Sequence, residues 1–366
     1  MKKLKIDIPF AISVLILVIA GYLIFASASL GLLSKEPGKY ANVAFSQTFL
    51  GLFLGSVACI FFKNLDYKLL RKYSLYLFII ALVATILVFV PSIGVSHGGA
   101  KRWIYIGSLS IQPSELLKVA YIIFLSAILS KFKDKAWTLK QGFLPFLGLT
   151  AIIGAVLLKQ PDTDTFLIAA VSGISIYLSA GGRWRYVFLV GVIGLLGLAS
   201  IAFMRPYVMS RITTFMNPEA NSLGSGYQIQ QSLIAIGSGG FFGRGFGQSI
   251  QKFNVLPEPI GDSIFAVAGE EFGFVGTITI ILLFVIFSIR GLKIATRVPD
   301  QFGRLVVVGI VILIVSQAFV NIGSMVGVLP LSGITLPFVS HGGTALFMTL
   351  AEVGIILNIS KNQRFI

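Results

Sequence analysis

The sequence is poor in cysteine, histidine and charged side chains, and each shortage excludes a class of protein. The single cysteine, Cys59, excludes a framework of intrachain disulfides. The two histidines, His97 and His341, lie far apart, so a metal site built from protein ligands alone is not expected. Charged residues make up only 12% of the chain, about half the share in a typical globular protein. This composition excludes a soluble enzyme and a disordered chain.

Long apolar runs dominate the sequence instead. Apolar residues make up 56% of the 366 residues, and the 39 glycines are typical of membrane helices. Ten runs are long enough to cross a hydrocarbon core of ~30 Å. They cover residues 8–30, 41–62, 74–91, 114–131, 143–159, 165–182, 186–204, 263–289, 304–328 and 338–360. The sequence therefore predicts an all-α, polytopic integral membrane protein of about ten transmembrane helices, in which residues 1–366 form a single domain.

The net charge of +15 reflects membrane topology rather than nucleic-acid binding. If the N-terminus is inside, 19 of the 29 basic residues lie at cytoplasmic ends of spans, nine lie in outer loops, and Lys118 lies within a helix. Because Lys and Arg accumulate on the cytoplasmic side, this asymmetry predicts that both termini are cytoplasmic in the plasma membrane. No nucleic-acid partner is expected.

The N-terminal segment has some features of a cleavable signal peptide. Three lysines precede an apolar run, which ends near Ala26-Ser27-Ala28. The run from Ile8 to Phe25 is longer than the usual signal core of ~7–15 residues. We therefore expect an uncleaved first helix.

Two outer segments are the expected location of any chemistry, because long polar connections between short ones usually carry function. The first outer loop, residues about 92–113, continues into the fourth span and includes G-G-A-K-R-W-I-Y-I-G-S-L-S-I-Q-P-S-E-L-L-K. Glu115 and Lys118 begin that span at i,i+3 spacing. They could form a simple intrahelical ion pair, with Trp103 as an interfacial anchor. Alternatively, Lys101, Arg102 and Lys118 could together bind a phosphate-bearing headgroup, since ionisable groups at membrane depth tend to be functional.

The second outer segment, residues about 205–262, ends where the eighth predicted span begins. Its last residue, Asp262, could simply cap that helix, since Asp is favoured at N-cap positions. It could instead be a carboxylate that faces a polar cavity and accepts a proton. Two further acidic residues, Glu270 and Glu271, fall about two turns into the span. They could line a polar cavity or help to position Asp262, and pairing with a neighbouring helix is favoured over direct catalysis.

Several motifs, taken in order, resemble those of the SEDS family (shape, elongation, division and sporulation) over essentially the whole chain. They are K-R-W-I-Y-I-G, Q-P-S-E-L-L-K, Q-P-D (160–162), G-Y-Q, I-A-I-G-S-G-G, L-P-E, D-S-I-F-A-V-A-G-E-E-F-G-F-V-G and L-P-L-S-G-I-T-L-P-F-V-S-H-G-G (329–343). The segments R-I-T-T-F-M-N-P, G-Y-Q-I-Q-Q-S and S-I-Q-K resemble the division branch, FtsW, more than the elongation branch, RodA.

The resemblance implies a peptidoglycan glycosyltransferase that polymerises lipid II into β-1,4 glycan strands at the outer face of the membrane. Its implied partners are a class B penicillin-binding protein, other divisome proteins and membrane lipid. It marks Asp262 as the catalytic base that accepts the acceptor hydroxyl proton. The residues expected to bind substrate are Lys101, Arg102, Trp103, Glu115, Lys118 and Glu258. The donor is already activated, so no cofactor is required, although a divalent cation (Mg²⁺ or Mn²⁺) could accompany its pyrophosphate.

Three positions depart from the family pattern. Asp164 stands where the family's Q-P-D-x-G-T motif has Gly, Gly261 and Ser263 flank the aspartate in place of Thr and Phe, and His341 replaces a Tyr. Two other function classes stay open from the sequence. A lipid II flippase would use the same lipid groove, and a non-catalytic scaffold would only recruit the crosslinking enzyme.

Overall fold

The computed structural model describes residues 6–92, 94–97, 100–106, 109–132, 135–204, 206–217, 225–253 and 255–363. Twelve helices lie within these residues, and we number them α1 to α12 in chain order. Their bounds are Ile8–Lys35, Pro37–Asn64, Tyr67–Leu87, Pro113–Lys131, Leu139–Lys159, Thr163–Ser179, Trp184–Met204, Pro206–Met216, Ser225–Ser238, Ile264–Arg297, Gln301–Met325 and Gly343–Ser360. The predicted all-α membrane fold is confirmed.

Each of the ten predicted spans corresponds to one of these helices. Eight described helices are long and apolar enough to cross a membrane: α1 to α5 and α10 to α12. The other two predicted spans match α6 and α7, whose apolar stretches are shorter. The number of ten therefore stays a prediction.

Buried and exposed faces show how the bundle is arranged. Most residues of α12 and of α4 are buried, so these two helices lie at the centre of the bundle. Helix α3 is mostly exposed, and from Tyr73 to Leu87 its exposed side chains are apolar or aromatic, as expected of a helix that faces lipid. Helix α12 packs against α2, α4 packs against α3, and α11 packs against α6 and α10.

Both ends of the described chain meet at one end of the bundle. The backbone N–H of Asp7 donates to Ser360 Oγ at 3.2 Å, and Lys361 Nζ donates to the carbonyl of Lys63 at 2.5 Å. This agrees with the prediction that the termini share one side of the membrane. That this side is the cytoplasm remains a prediction from the charge asymmetry.

The first outer loop contains a small antiparallel sheet that the sequence did not predict. Its strands, in the order β1-β2-β3, are Gly94–His97, Ala100–Ile106 and Leu109–Ile111. Thr344 Oγ1, at the start of α12, donates to the carbonyl of Ser110 at 2.8 Å. The sheet is therefore fixed at the end of the bundle opposite the termini.

The second outer segment is also more structured than a loop. It contains α8, α9 and a 3-10 turn at Gln251–Phe253. Helix α9 packs against α10, so the segment lies against the bundle as it approaches Asp262.

Candidate active site

Asp262 lies in a tight turn directly before α10. The backbone N–H groups of Gly261 and Ser263 both donate to the carbonyl of Glu258, at 3.0 and 3.2 Å. Ser263, and not Asp262, occupies the N-cap position of α10. The capping alternative for Asp262 therefore loses its structural basis.

The carboxylate of Asp262 is largely withdrawn from water. Its Oδ1 is buried and accepts no hydrogen bond from any described residue. Burial raises the pKa of Asp262 from 3.8 to about 7, and the negative charge of Glu258 contributes in the same direction, while a hydrogen bond from Gln228 opposes the shift. A carboxylate with a pKa near neutrality is well matched to accepting a proton at physiological pH.

The segment between α11 and α12, residues 326–342, is hydrogen-bonded to the backbone of this turn. Ser340 Oγ donates to the carbonyl of Gly261 at 2.7 Å, and the backbone N–H of His341 donates to the carbonyl of Ile260 at 2.7 Å. The His341 ring stacks on Phe25, with 5.9 Å between the ring centroids. Burial lowers the pKa of His341 to about 4, so this substituted position carries a neutral ring at pH 7.

Glu115 and Lys118 form the ion pair that their spacing indicates, but it is not an isolated pair. Lys118 Nζ lies 2.8 Å from Glu115 Oε1 and donates to Gln317 Oε1 of α11 at 3.2 Å. Lys118 and Glu115 are both buried. A charged group buried this deeply must keep its partners, because an unpaired buried charge is strongly unfavourable.

Helix α11 connects Lys118 to Asp262. Gln317 binds Lys118, and Asn321, one turn later, donates to the carbonyl of Asp262 at 2.8 Å. The two amides also hold the 326–342 segment, since Gln317 donates to the carbonyl of Thr335 at 3.0 Å and Asn321 to that of Ile334 at 2.7 Å. Residues spaced i,i+4 on a helix are neighbours on one face. The lysine and the aspartate are thus parts of one polar region.

Arg102 reaches this region from the sheet. The pairing register of β1 and β2 shifts between Val95 and Ser96, which leaves Arg102 as an extra residue on β2, a β-bulge. Bulges redirect side chains at such positions. The guanidinium donates to the carbonyl of Pro161 and lies 3.5 Å from Asp162 Oδ1.

Asp162 belongs to the site, although the sequence reasoning did not include it there. Burial raises its pKa, while the charges of Arg102 and Lys118 lower it. Its Oδ2 is buried and has no hydrogen-bond partner among the described residues. The Q-P-D motif was the available signal, but its position relative to Arg102 depends on the bulge and could not be read from the sequence.

The remaining predicted substrate-binding residues are less enclosed. Lys101 and Glu258 are exposed, and Trp103 is partly buried. The structure therefore brings Asp262, Glu115, Lys118 and Arg102 into one end of the bundle, with Glu258 beside Asp262. The substituted residue Asp164 forms an ion pair of 2.8 Å with Arg211 of α8.

Three polar residues inside spans were missed as site residues: Gln317, Asn321 and Glu352. Glu352 of α12 is buried, and the charged groups that act on it are Lys118 and Glu115. Polar groups at membrane depth were the available signal. Across the described ranges, no three His, Cys, Asp or Glu side chains are grouped closely enough to hold a metal ion.

Comparison with known proteins identifies the family. Residues 8–365 match the family of FtsW, RodA and SpoVE, described as cell cycle proteins. The chain belongs to the FtsW/RodA/SpoVE family. The resemblance to SEDS proteins is thereby confirmed.

Individual family members match over most of their length. Stage V sporulation protein E of Bacillus subtilis is 39% identical over 371 residues, which cover 100% of this chain and 99% of that protein. A probable peptidoglycan glycosyltransferase FtsW of Geobacter sp. is 39% identical over 82% of each chain. A solved chain from a peptidoglycan synthase complex, studied for its coordination of polymerization and crosslinking, has a TM-score of 0.77 and 27% identity. The match covers 94% of this chain and 96% of that one.

Proposed function

We propose that this member of the FtsW/RodA/SpoVE family is a peptidoglycan glycosyltransferase that polymerises lipid II. The observation that carries the proposal is the Asp262 carboxylate, which has a raised pKa and an unpartnered oxygen in the same polar region as Arg102 and Lys118. The names of its relatives support the same reaction class.

The reaction assigns a separate task to each part of the site. Asp262 accepts the proton of the acceptor sugar's hydroxyl as the oxygen attacks the anomeric carbon of the donor. The bond from that carbon to the pyrophosphate breaks, and polyprenyl pyrophosphate leaves with the bonding electrons. Attack opposite the leaving group converts an α-linked donor into a β-1,4 product.

Arg102 and Lys118 are proposed to stabilise the departing pyrophosphate. Preorganised cations are effective because they need not reorganise when charge develops in the transition state. Hydrogen bonds to Pro161 and Gln317 help to orient these cations. Their ion-pair partners, Asp162 and Glu115, offset part of the cost of holding these cations in a buried region.

A divalent cation fits the described residues only in part. The free Oδ1 of Asp262 offers one oxygen, and Mg²⁺ commonly takes its other ligands from substrate phosphates and water. The proposal needs no cation fixed by the protein alone. Comparing polymer yield in Mg²⁺, Mn²⁺ and a chelator measures the requirement.

The proposal includes an outer-face site and a partner. The charge asymmetry supports an outer location, and the match to a chain of a peptidoglycan synthase complex supports pairing with a crosslinking class B penicillin-binding protein. Ser92, an exposed polar residue of the first outer loop, is a suitable labelling position. Ser92→Cys in a Cys59→Ser background should react with an impermeant thiol reagent in intact cells, and reaction only after permeabilisation would indicate the inverted topology.

Cell division is the proposed process, because FtsW proteins are prominent among the similar relatives. Depletion of the protein should block division, so that the cells grow into filaments. Loss of rod shape would indicate elongation instead, and a defect confined to spore formation would indicate the role named for the Bacillus subtilis relative.

Reconstitution tests the activity itself. Purified protein in liposomes receives lipid II from outside, and glycan strands are measured by gel electrophoresis. Polymer supports the proposal. Movement of labelled lipid II across the bilayer without polymer would indicate a flippase. Recruitment of the crosslinking enzyme with neither activity would indicate a scaffold.

A further inference from the structure

Helix α10, which follows Asp262, is broken one third of the way along. Gly273 has φ 63° and ψ −161°, outside the helical region, so Ile264–Phe272 is a separate half-helix. A left-handed φ of this kind is favourable only for glycine. Every residue from Ile264 to Glu271 is buried.

The loop of residues 239–253 completes the backbone hydrogen bonds that this break leaves open. The N–H groups of Phe274 and Val275 donate to the carbonyls of Gly240 and Phe241, at 2.9 and 3.1 Å. In return, the carbonyls of Glu270 and Glu271 accept from the N–H groups of residues 244 and 245, each at 3.0 Å. Broken helices are tolerated at membrane depth when other backbone satisfies the freed groups.

The side chain of Glu271 joins the same loop to α1. Glu271 Oε1 lies 2.7 Å from Lys252 Nζ, and both side chains are fully buried. Ser27 of α1 donates to Glu271 Oε1 at 2.6 Å and accepts from Lys252 at 3.0 Å. Lys252 also donates to the carbonyl of Gly247 at 2.8 Å. The ammonium therefore has three partners and is held in one position.

The side chain of Glu270 secures the adjacent turn. It accepts from Ser249 Oγ at 2.6 Å and from the N–H groups of Ile250 and Gln251 at 3.1 and 3.2 Å. Together, Lys252, Glu270, Glu271, Ser27 and Ser249 form what we call the α10 latch. Glu270 and Glu271 follow Asp262 by eight and nine residues, about two helical turns along α10. No hydrogen bond or ion pair among the described residues joins a latch side chain to Asp262, so the latch is separate from the reacting groups.

We propose that the Lys252–Glu271 pair of the α10 latch positions the half-helix that carries Asp262, and that these two residues act on catalysis only through that helix. The half-helix lacks continuous helical hydrogen bonding to the rest of α10. Its orientation is therefore set at one end by Asn321 and Ser340, which hold the carbonyls of Asp262 and Gly261. The latch sets the other end. A displacement of ~1 Å at a reacting group is sufficient to cost ~10²-fold in rate.

The catalytic effect of this positioning rests on the proposed function, and a double substitution of Lys252 and Glu271 tests it. Replacing one member of a buried ion pair leaves an unpaired charge and threatens folding, whereas replacing both by apolar residues of similar volume is often tolerated. Lys252→Met with Glu271→Leu is therefore the informative variant, and Lys252→Arg is the conservative one. The matched control is Lys39→Met with Glu36→Leu, which removes an exposed pair of 2.5 Å.

Two readouts distinguish positioning from a purely structural role. In polymerisation assays, the double latch variant should keep the wild-type KM and lose at least ~10-fold in kcat, with partial recovery in Lys252→Arg. In hydrogen exchange, amides of residues 264–272 should exchange at least ~10-fold faster while those of α4 do not change. The control should match wild type in both readouts.

Each result bears on the proposal. Unchanged kcat in a folded double variant would overturn it, as would unchanged protection of residues 264–272. A rise in KM with constant kcat would also overturn it, because it would place the latch in substrate binding. If wild type makes no polymer, the glycosyltransferase proposal fails, and the exchange result alone decides whether the latch fixes the half-helix.

Discussion

The pH dependence of the reaction follows from the environment of Asp262. Only the ionised carboxylate can accept a proton, and the pKa of this group is raised to about 7 by burial, with a further contribution from Glu258. We therefore expect log kcat/KM to rise with unit slope below pH 7 and to level off above it. We call this rising part of the profile the acidic limb. A carboxylate with the ordinary pKa of 3.8 would be ionised at every pH near 7, so it would give no acidic limb there.

Substituting Glu258→Gln removes one of the two causes that raise the pKa while leaving the burial. At about 4 Å, two charges in water repel by about 1 kcal/mol. That corresponds to about 0.7 of a pH unit. Because Glu258 is exposed and therefore screened, the expected downward shift of the limb is smaller, about half a pH unit.

The assay is initial-rate polymerisation between pH 5 and 9, with kcat/KM fitted at each pH. At pH 6, kcat/KM of Glu258→Gln, taken as a fraction of that variant's own high-pH plateau, should exceed the corresponding fraction for wild type. A limb that stays at the same pH in the variant would refute the electrostatic reasoning. A wild-type profile that is flat from pH 5 to 9 would refute the assignment of the limb to Asp262.

Three further predictions concern stability and the cationic residues. Because the folded-state pKa of Asp262 lies above 3.8, the folded protein binds more protons than the unfolded one from about pH 4 to 7, so its stability falls with rising pH over that range. Asp262→Asn should therefore raise Tm at pH 8, with an advantage that shrinks towards pH 4 in thermal melts; a lower Tm at pH 8 would contradict this. Arg102→Lys should weaken polyprenyl-pyrophosphate binding about 10-fold in a titration despite its retained charge, because Lys lacks the planar fork that reaches both Pro161 and Asp162. Normal product affinity in Arg102→Ala would remove Arg102 from this role. Gln317→Leu leaves Lys118 with one fewer partner and should raise KM for lipid II several-fold; an unchanged KM would show that Gln317 does not orient the lysine.

The membrane fold could be predicted from the sequence because its signal is strong and local. Runs of about 20 apolar residues report a helix without knowledge of their neighbours. The i,i+3 spacing of Glu115 and Lys118 likewise predicted their ion pair, since both lie on one helix. Motif order then indicated the family.

The parts that could not be predicted depend on contacts between distant segments. The bulge at Arg102 arises from how β1 pairs with β2, and its contact with Asp162 spans 60 positions in the chain. The break at Gly273 lies inside the predicted span 263–289 and could not be located from the sequence, because the loop that satisfies its backbone lies about 30 residues earlier. Glu271 was expected to pair with a neighbouring helix, and it contacts Ser27 of α1, but its charge is balanced by Lys252 of that loop.

The central claim is that Asp262 is the proton acceptor, and Asp262→Asn tests it most directly. The substitution preserves the size of the side chain and removes the base. Asp300→Asn is the matched control, because Asp300 caps α11 by accepting from the N–H of Gly303 at 2.9 Å, remote from the site. With purified proteins and lipid II, Asp262→Asn should be folded and still bind its partner, yet polymerise at least ~10²-fold more slowly than wild type, while Asp300→Asn polymerises near normally. Near-normal glycan yield from folded Asp262→Asn would contradict the assignment.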